Sequence, residues 1–259
     1  MATIYRDGAY NTDFDILSFL TAFFLSDHEL TQSILEFNVD ALGHIINTVQ
    51  VEGLRMLEVG GGPSILNVIL ACKRFPEIVF SDFAKPCRHA IEKWVKKEPD
   101  AIDWSKVIEK ICDMEGNGEL WEERQAEARQ SIKEIIHCDV HKTNPLEPKV
   151  FEPFDVIIST FCLQVACPDR KSFQDALKNI TNLLKKGGTL ILSTTINESF
   201  YLVDGKAFQC IKVDEEFAKT AVLNAGLRIT SYKVHQIPFI DDGKVSDAEA
   251  QLFLAAVKQ

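Results

Sequence analysis

The 259-residue chain has no apolar run that reaches the ~18 residues a membrane-spanning helix needs, because charges interrupt each one earlier. No membrane association is therefore expected. It also has no block of lysines or arginines: 28 basic residues stand against 38 acidic ones, a formal net charge of −10. Phosphate backbones are bound through basic patches, so this balance argues against a nucleic acid partner. It suits a small neutral or cationic one. The opening "MATIYRDGAYNTDFD" lacks the basic start and apolar centre of a secretory signal. Seven cysteines, an odd number scattered from Cys72 to Cys210, form no tight framework, and reduced thiols in the cytoplasm are the economical expectation. Internal repeats and low-complexity linkers are missing too. What remains, at 46% hydrophobic and 25% charged, is an ordinary globular composition. The length suits one domain over residues 1–259, with residues 1–50 as a helical cap within it.

What is present is sharper. "RMLEVGGGPSIL", residues 55 to 66, sets three glycines and a proline between apolar runs. Glycine loses more conformational freedom on folding than any other residue, so three together imply a tight turn or the close approach of a ligand. Proline fits the first turn of a helix. The stretch reads as strand, turn and helix start, and a helix start offers unpaired N–H groups to a ligand.

Around it the pattern alternates. Apolar spacing predicts two amphipathic helices over 13–37, broken near Asp27, and another over 39–50. After the glycine turn come a helix on "PSILNVILACKRF", a strand on "EIVFSDF" and a helix on "KPCRHAIEKWVKK". An acid-rich insertion, 103–131, reads as one or two helices. Strands are predicted on "IKEIIHCDV" and "FDVIISTF", then a helix that stops at the paired glycines of "LLKKGG", and a strand on "GTLILSTTI". A hairpin at Asp204-Gly205, a helix on "DEEFAKTAVLNAG" and strands on "LRITSYKVH" and "AQLFLAAVK" complete the chain, with "DDGKVSD" (241–247) as a solvated loop. Such alternation argues for a twisted, largely parallel α/β sheet.

In a doubly wound sheet a ligand lies at the carboxyl ends of the strands. Three of those ends are suggestive: Gly60 to Gly62 after the first, Asp82 after the second, Asp139 after the third. A carboxylate 20 residues after Gly62 can accept from both hydroxyls of a ribose. Asp139 can accept from an exocyclic amine such as that of adenine, with the N–H of Val140 beside it. A dinucleotide would require a third glycine where Ile65 stands, and Glu58 would repel its pyrophosphate. S-adenosylmethionine, with an ammonium and a sulfonium, fits better. The plainer alternatives stay open: Asp82 as a helix cap, Asp139 as a turn-forming acid. His137, Cys138 and His141 flank Asp139, but strand alternation turns the first two to opposite faces, and no metal is expected.

The stretches "LEVGGGPS", "SDF", "EKWVKKEPDAIDWS", "CDMEGN", "CDV", "STFCLQVACPD", "LLKKGGTLILS" and "ESFYLV" together resemble the nicotinamide, phenylethanolamine and indolethylamine N-methyltransferases. The resemblance runs from about Tyr10 to the C-terminus. It implies a Rossmann-like class I methyltransferase: a largely parallel seven-stranded sheet with helices on both faces and an N-terminal helical cap. It also implies S-adenosyl-L-methionine as cofactor, a small amine or pyridine-type nitrogen as acceptor, and a monomer. The implied cofactor set is Gly60, Gly61 and Gly62 near the methionine part with Thr160, Asp82 on the ribose, Asp139 and Val140 at the adenine, and Phe83 and Cys87 beside them. Tyr10, Phe19 and Phe24 would cover the site, the two phenylalanines standing where the nicotinamide enzyme has tyrosines. Aromatic rings can stabilise a sulfonium and exclude water. Phe24 reads equally as the core face of a helix.

The departures lie on the acceptor side. Thr194 matches the aspartate that holds the amide in the nicotinamide enzyme, and being neutral it makes nicotinamide a poorer candidate. Glu198 and Tyr201 match the glutamate and tyrosine of the phenylethanolamine enzyme and are the implied catalytic pair. Gln164 takes the place of its other acid, and Asp247 falls near its amine-binding aspartate. A carboxylate such as Glu198 could take the proton of an aliphatic ammonium; a pyridine nitrogen needs no base. Glu198 as a surface acid is the bland alternative. The replacements at Phe19, Phe24, Leu66, Cys87 and Thr194 keep a catalytically silent cofactor-binding protein in play.

Overall fold

A computed structural model describes residues 4–5, 8–48, 53–237 and 245–259. The chain begins with β1 (Ile4–Tyr5), α1 (Ala9–Thr12) and α2 (Ile16–Leu20). α2 runs on as a π-helical turn over Thr21–Leu25 and is followed by α3 (Glu29–Thr48). Then come β2 (Arg55–Val59), α4 (Leu66–Ala71), β3 (Glu77–Asp82), α5 (Lys85–Lys96), α6 (Ser105–Met114), α7 (Trp121–Ser131) and β4 (Ile132–His137). The second half holds β5 (Phe154–Thr160), α8 (Leu163–Ala166), α9 (Arg170–Asn182), β6 (Leu184–Ile196), β7 (Phe200–Val203), β8 (Lys206–Gln209), α10 (Glu215–Asn224), β9 (Leu227–Gln236) and β10 (Ala250–Lys258).

Seven strands form one sheet in the order β4-β3-β2-β5-β6-β10-β9. Only β10 runs against its neighbours. The order reverses between β2 and β5, the switch point at which such sheets bind ligands. Strand alternation feeds two cores. Met56 and Ile158 face one cluster with α3 to α6, while Leu57 and Ile157 face the other with α9 and α10. This double burial explains why the strands read as continuous apolar runs. A second sheet, β1-β8-β7, joins a third cluster in which Tyr5, Tyr10, Phe14 and Phe19 pack on Tyr201 and Phe208.

The expected elements are nearly all present, with four corrections. The second and third N-terminal helices are one, α3, with no break between residues 37 and 39; residues 49 and 50 lie outside the described set. Pro63 stands in the turn rather than in a first helical turn, since α4 begins at Leu66. α9 stops at Asn182, before the paired glycines. Those glycines instead lie within β6, where the pairing with β5 slips: Phe154 faces Leu184 but Val156 faces Thr189. Gly187 has φ +79° and a Cβ on Gly188 would come within 3.0 Å of the Asp155 carbonyl, so the pair makes a bulge instead of ending a helix. Lastly, residues 241–244 of the expected solvated loop lie outside the described residues, and its end, Val245 to Asp247, is half-buried against the central cavity.

Candidate active site

Two of the three glycines are explained by their neighbours within the protein and the third by its backbone. Gly60 has φ +67°, and a Cβ there would fall 2.1 Å from Cys162 Sγ. At Gly61 it would strike the Phe80 ring at 2.5 Å. Gly62 adopts φ +59° with open space around it. The turn is pinned from the next strand, where the Ser81 carbonyl accepts from the N–H groups of Gly60 (2.9 Å) and Gly61 (3.2 Å).

Asp82 closes β3 with one oxygen on this turn and the other on the backbone that follows β3. Oδ2 accepts from the Gly62 N–H at 2.8 Å, and Oδ1 from the Ala84 N–H at 2.7 Å; Ala84 itself is the N-cap of α5, so the helix-cap alternative for Asp82 is not realised. Its carboxylate also lines the cavity, and burial pushes its pKa up. Asp139 combines both of its readings. Its Oδ1 accepts from the His141 N–H at 3.0 Å within a turn, and it lines the same cavity beside Val140. Phe83 and Cys87 also line it, the first 43% exposed and the second buried.

Thr160 ends β5 next to a residue the sequence did not single out. Asn67, on α4, donates to Thr160 Oγ1 at 2.8 Å and to Glu58 Oε1 at 2.7 Å. Glu58 is 1% exposed and burial raises its pKa to about 8. The charge repulsion expected of it is therefore weak near neutral pH.

At the far end, β6 and the loop after it supply Glu198. It is buried, and its Oε2 accepts from Thr195 Oγ1 at 2.5 Å and from the Cys210 thiol at 3.3 Å. Burial raises its pKa, while the Thr195, Cys210 and Ser246 bonds pull it back. The surface-acid alternative fails on that burial. Gln164, from α8, donates through Nε2 to Thr195 Oγ1 at 3.4 Å. Tyr201, on β7, meets the Tyr10 hydroxyl at 2.9 Å. Asp247 lines the cavity, but its oxygens are taken by the Ser199 N–H (2.7 Å), the Ser199 hydroxyl (2.5 Å) and the Phe200 N–H (3.2 Å). It braces the loop that carries Glu198.

Thr194 is a correction. It is buried but does not line the cavity; Thr195 does. The two are neighbours on β6, and one residue turns a side chain to the other face of the sheet.

These groups share one cavity of about 1130 Å³ at the carboxyl ends of β2, β3, β4, β5 and β6. Its described lining carries five carboxylates, Asp82, Asp139, Glu198, Asp247 and Glu249, and no lysine or arginine. The N-terminal segment roofs it with Tyr10, Phe14, Phe19, Phe23 and Phe24. The π-helical turn widens the helix, so that Phe23 and Phe24 both reach the cavity; 3.6-residue periodicity could not foresee that. Phe161 was also missed. It takes φ +54°, rare for a bulky residue, and sets its ring edge-on to Phe253 at 5.9 Å.

The donor set fits an adenosine bearing a positively charged sulfur. A carboxylate faces a glycine turn at the switch point, a second lies one strand further out, and aromatic rings and further acids, with no lysine or arginine in the described lining, surround the rest. Among the described residues no three His, Cys, Asp or Glu side chains are disposed to hold a metal ion.

Comparison with known proteins follows the same lines. Residues 3–259 match the model of the NNMT/PNMT/TEMT family. Nicotinamide N-methyltransferase of Homo sapiens is 36% identical over 211 residues, 82% of this chain and 80% of that protein. Indolethylamine N-methyltransferase of Oryctolagus cuniculus is 35% identical over 195 residues, 75% and 74%. Phenylethanolamine N-methyltransferase of Homo sapiens is 32% identical over 220 residues, 84% and 78%. Among solved structures, magnesium protoporphyrin IX methyltransferase from Synechocystis PCC 6803 with bound SAH superposes with a TM-score of 0.60, covering 97% of each chain. At 12% identity that likeness speaks to the fold alone.

Proposed function

The chain belongs to the NNMT/PNMT/TEMT family, and from this and the cavity we propose that it is an S-adenosylmethionine-dependent enzyme that methylates the nitrogen of a small amine or pyridine-type molecule. The observation that carries the reading is the burial of Glu198 in the wall of the same cavity that the glycine turn and Asp82 open into. Its relatives are named as methyltransferases acting on nicotinamide, indolethylamine and phenylethanolamine.

The cofactor-binding residues in this reading are Gly60 to Gly62, Asp82, Phe83, Cys87, Asp139, Val140 and Thr160, under the cover of Tyr10, Phe19 and Phe24. Bound S-adenosylmethionine supplies a methyl carbon on a positively charged sulfur, already a good leaving group. The protein supplies position, exclusion of water and a place for a proton. The aromatic roof keeps water from the reacting atoms. Holding an acceptor nitrogen close to and in line with that carbon accounts for much of the rate. An aliphatic ammonium must first lose a proton, and the Glu198 carboxylate, oriented through Oε2 by Thr195 and Cys210, accepts it. Tyr201, fixed by Tyr10, forms the wall beside it.

The lining's charge favours amines over anionic acceptors. A carboxylate or phosphate on the acceptor would enter among five acids with no lysine or arginine to meet it. All seven cysteines are thiols outside any disulfide, which supports a reducing, cytoplasmic setting. A monomer of one domain is supported by the scatter of its exposed large apolar residues, such as Leu17, Leu54, Met114, Val150 and Leu223, over separate elements.

A screen of amines and pyridines with S-adenosylmethionine, read as a mass gain of one methyl, tests the proposal. Binding of S-adenosylhomocysteine without methylation of any acceptor would instead make the chain a silent cofactor-binding protein.

A further inference from the structure

Beyond Glu198 the cavity continues over β10, where buried polar groups are left without partners. Gln251 lies directly across from Thr195 in the β6–β10 register and across from His235 in the β9–β10 register. It lines the cavity, is 5% exposed, and its Oε1 accepts no hydrogen bond. Asn38, from α3, lines the same cavity, also buried, with Oδ1 unpaired. α3 reaches this corner through Phe37, which stacks on His235 at 4.4 Å and meets Phe253 at 5.7 Å.

A buried carboxamide oxygen without a donor destabilises the fold, and an apolar side chain would close this face as Phe253 does two residues on. Packing therefore gives no reason for an amide here, whereas a ligand would. The position is telling. Cross-strand neighbours set their Cβ atoms about 4.5–5.5 Å apart. Gln251 is thus one strand away from Thr195, whose hydroxyl holds Glu198. A small amine with its nitrogen at Glu198 would carry its next few atoms past Gln251. No lysine or arginine in the described lining can serve as the missing donor.

We infer that Gln251 is a specificity-determining residue: its amide oxygen accepts a hydrogen bond from a second N–H or O–H of the methyl acceptor, so that amines bearing a second donor are selected over equal amines without one. This rests on the amine-methylating reading above. A site built to satisfy a buried polar group discriminates strongly against analogues that leave it unpaired.

The test uses the full chain, S-adenosylmethionine and matched acceptors: pentylamine against 5-aminopentanol, and 2-phenylethylamine against its ring-hydroxylated counterpart. The expected result is a kcat/KM at least about tenfold higher for the donor-bearing member of a pair. Gln251→Met keeps the length and unbranched shape and should bring the ratio to about one. Gln251→Glu should move the preference toward 1,5-diaminopentane, whose second group is cationic. Calorimetry with S-adenosylhomocysteine separates a lost contact from a lost fold. A native ratio near one, or a ratio that survives Gln251→Met, overturns the inference. Should that variant not bind S-adenosylhomocysteine, an unchanged preference in Gln251→Glu overturns it instead. Absence of methylation with every amine sinks the proposed function, and this inference with it; methylation without preference sinks this inference alone.

Discussion

The hydroxyls of Tyr10 and Tyr201 lie 2.9 Å apart, joining the first helix to β7 across 191 residues of chain. Both rings also pack on Phe208, at 5.2 and 5.6 Å, so this hydrogen bond and an aromatic cluster help fasten the roof of the cavity to the small sheet, beside the bond from Lys206 to the Asp13 carbonyl. Removing either hydroxyl should loosen the roof without removing its rings. We expect Tyr10→Phe and Tyr201→Phe each to weaken S-adenosylhomocysteine binding about fivefold, the worth of one ordinary hydrogen bond. The double variant should lose no more than either single one, because both delete the same contact. Full additivity in calorimetry would show that the two hydroxyls act separately.

Glu198 should matter for amines and little for pyridines. Glu198→Gln is expected to lower kcat for an aliphatic amine by about 10²–10³, with cofactor affinity nearly intact, and to cost a pyridine acceptor far less. Burial holds the native carboxyl above the usual carboxylate range, so its basic form grows as pH rises through that elevated pKa. Amine methylation should rise over the same interval, and the part of that rise due to Glu198 should vanish in the variant. Steady-state rates against pH, beside S-adenosylhomocysteine titrations, test this; equal losses in turnover and affinity would remove Glu198 from proton transfer.

Asp82 carries a double duty, since it accepts from Gly62 and Ala84 while facing the cavity. Hydrogen bonds to charged groups contribute about 1.5–3 kcal/mol. Asp82→Ala should therefore weaken S-adenosylhomocysteine binding about 10- to 100-fold and lower Tm, because two N–H groups lose their acceptor. Asp82→Asn, which keeps one acceptor oxygen, should show the affinity loss with a smaller fall in Tm. Calorimetry and thermal unfolding together decide between them.

Glu58 makes the free protein sensitive to alkali. Its pKa is raised from 4.5 to about 8 by burial, so between those values the native state holds a proton that the unfolded state has released. Stability attributable to Glu58 is complete below about pH 4.5 and falls as pH climbs to about 8, at up to about 1.4 kcal/mol per pH unit. Glu58→Gln should flatten that limb in urea unfolding at pH 5, 6.5 and 8. An unchanged slope would mean that Glu58 ionises in the native state at ordinary pH.

Much of the site was legible because its parts sit at strand ends, and strand ends are marked by changes of residue type. Asp82, Asp139 and Thr160 each end a run of apolar residues, and all line the cavity. Asn67 gave no such signal: it is one polar residue inside an apolar helix, and only the approach of α4 to β5 sets it between Glu58 and Thr160. Thr194 lies off the cavity for a different reason. A motif match locates a segment, but the face on which a strand residue stands depends on register.

The amino-acid sequence alone determined the alternating α/β plan, the glycine turn and the family, since these follow from local periodicity, turn chemistry and motif spacing. Tertiary structure alone decided that Cys162 crowds Gly60 and Phe80 crowds Gly61, that the Tyr10 and Tyr201 hydroxyls meet, and that Gln251 lies buried without a partner. Each of these depends on how separate segments of the chain meet, and position along the chain carries no record of which faces do.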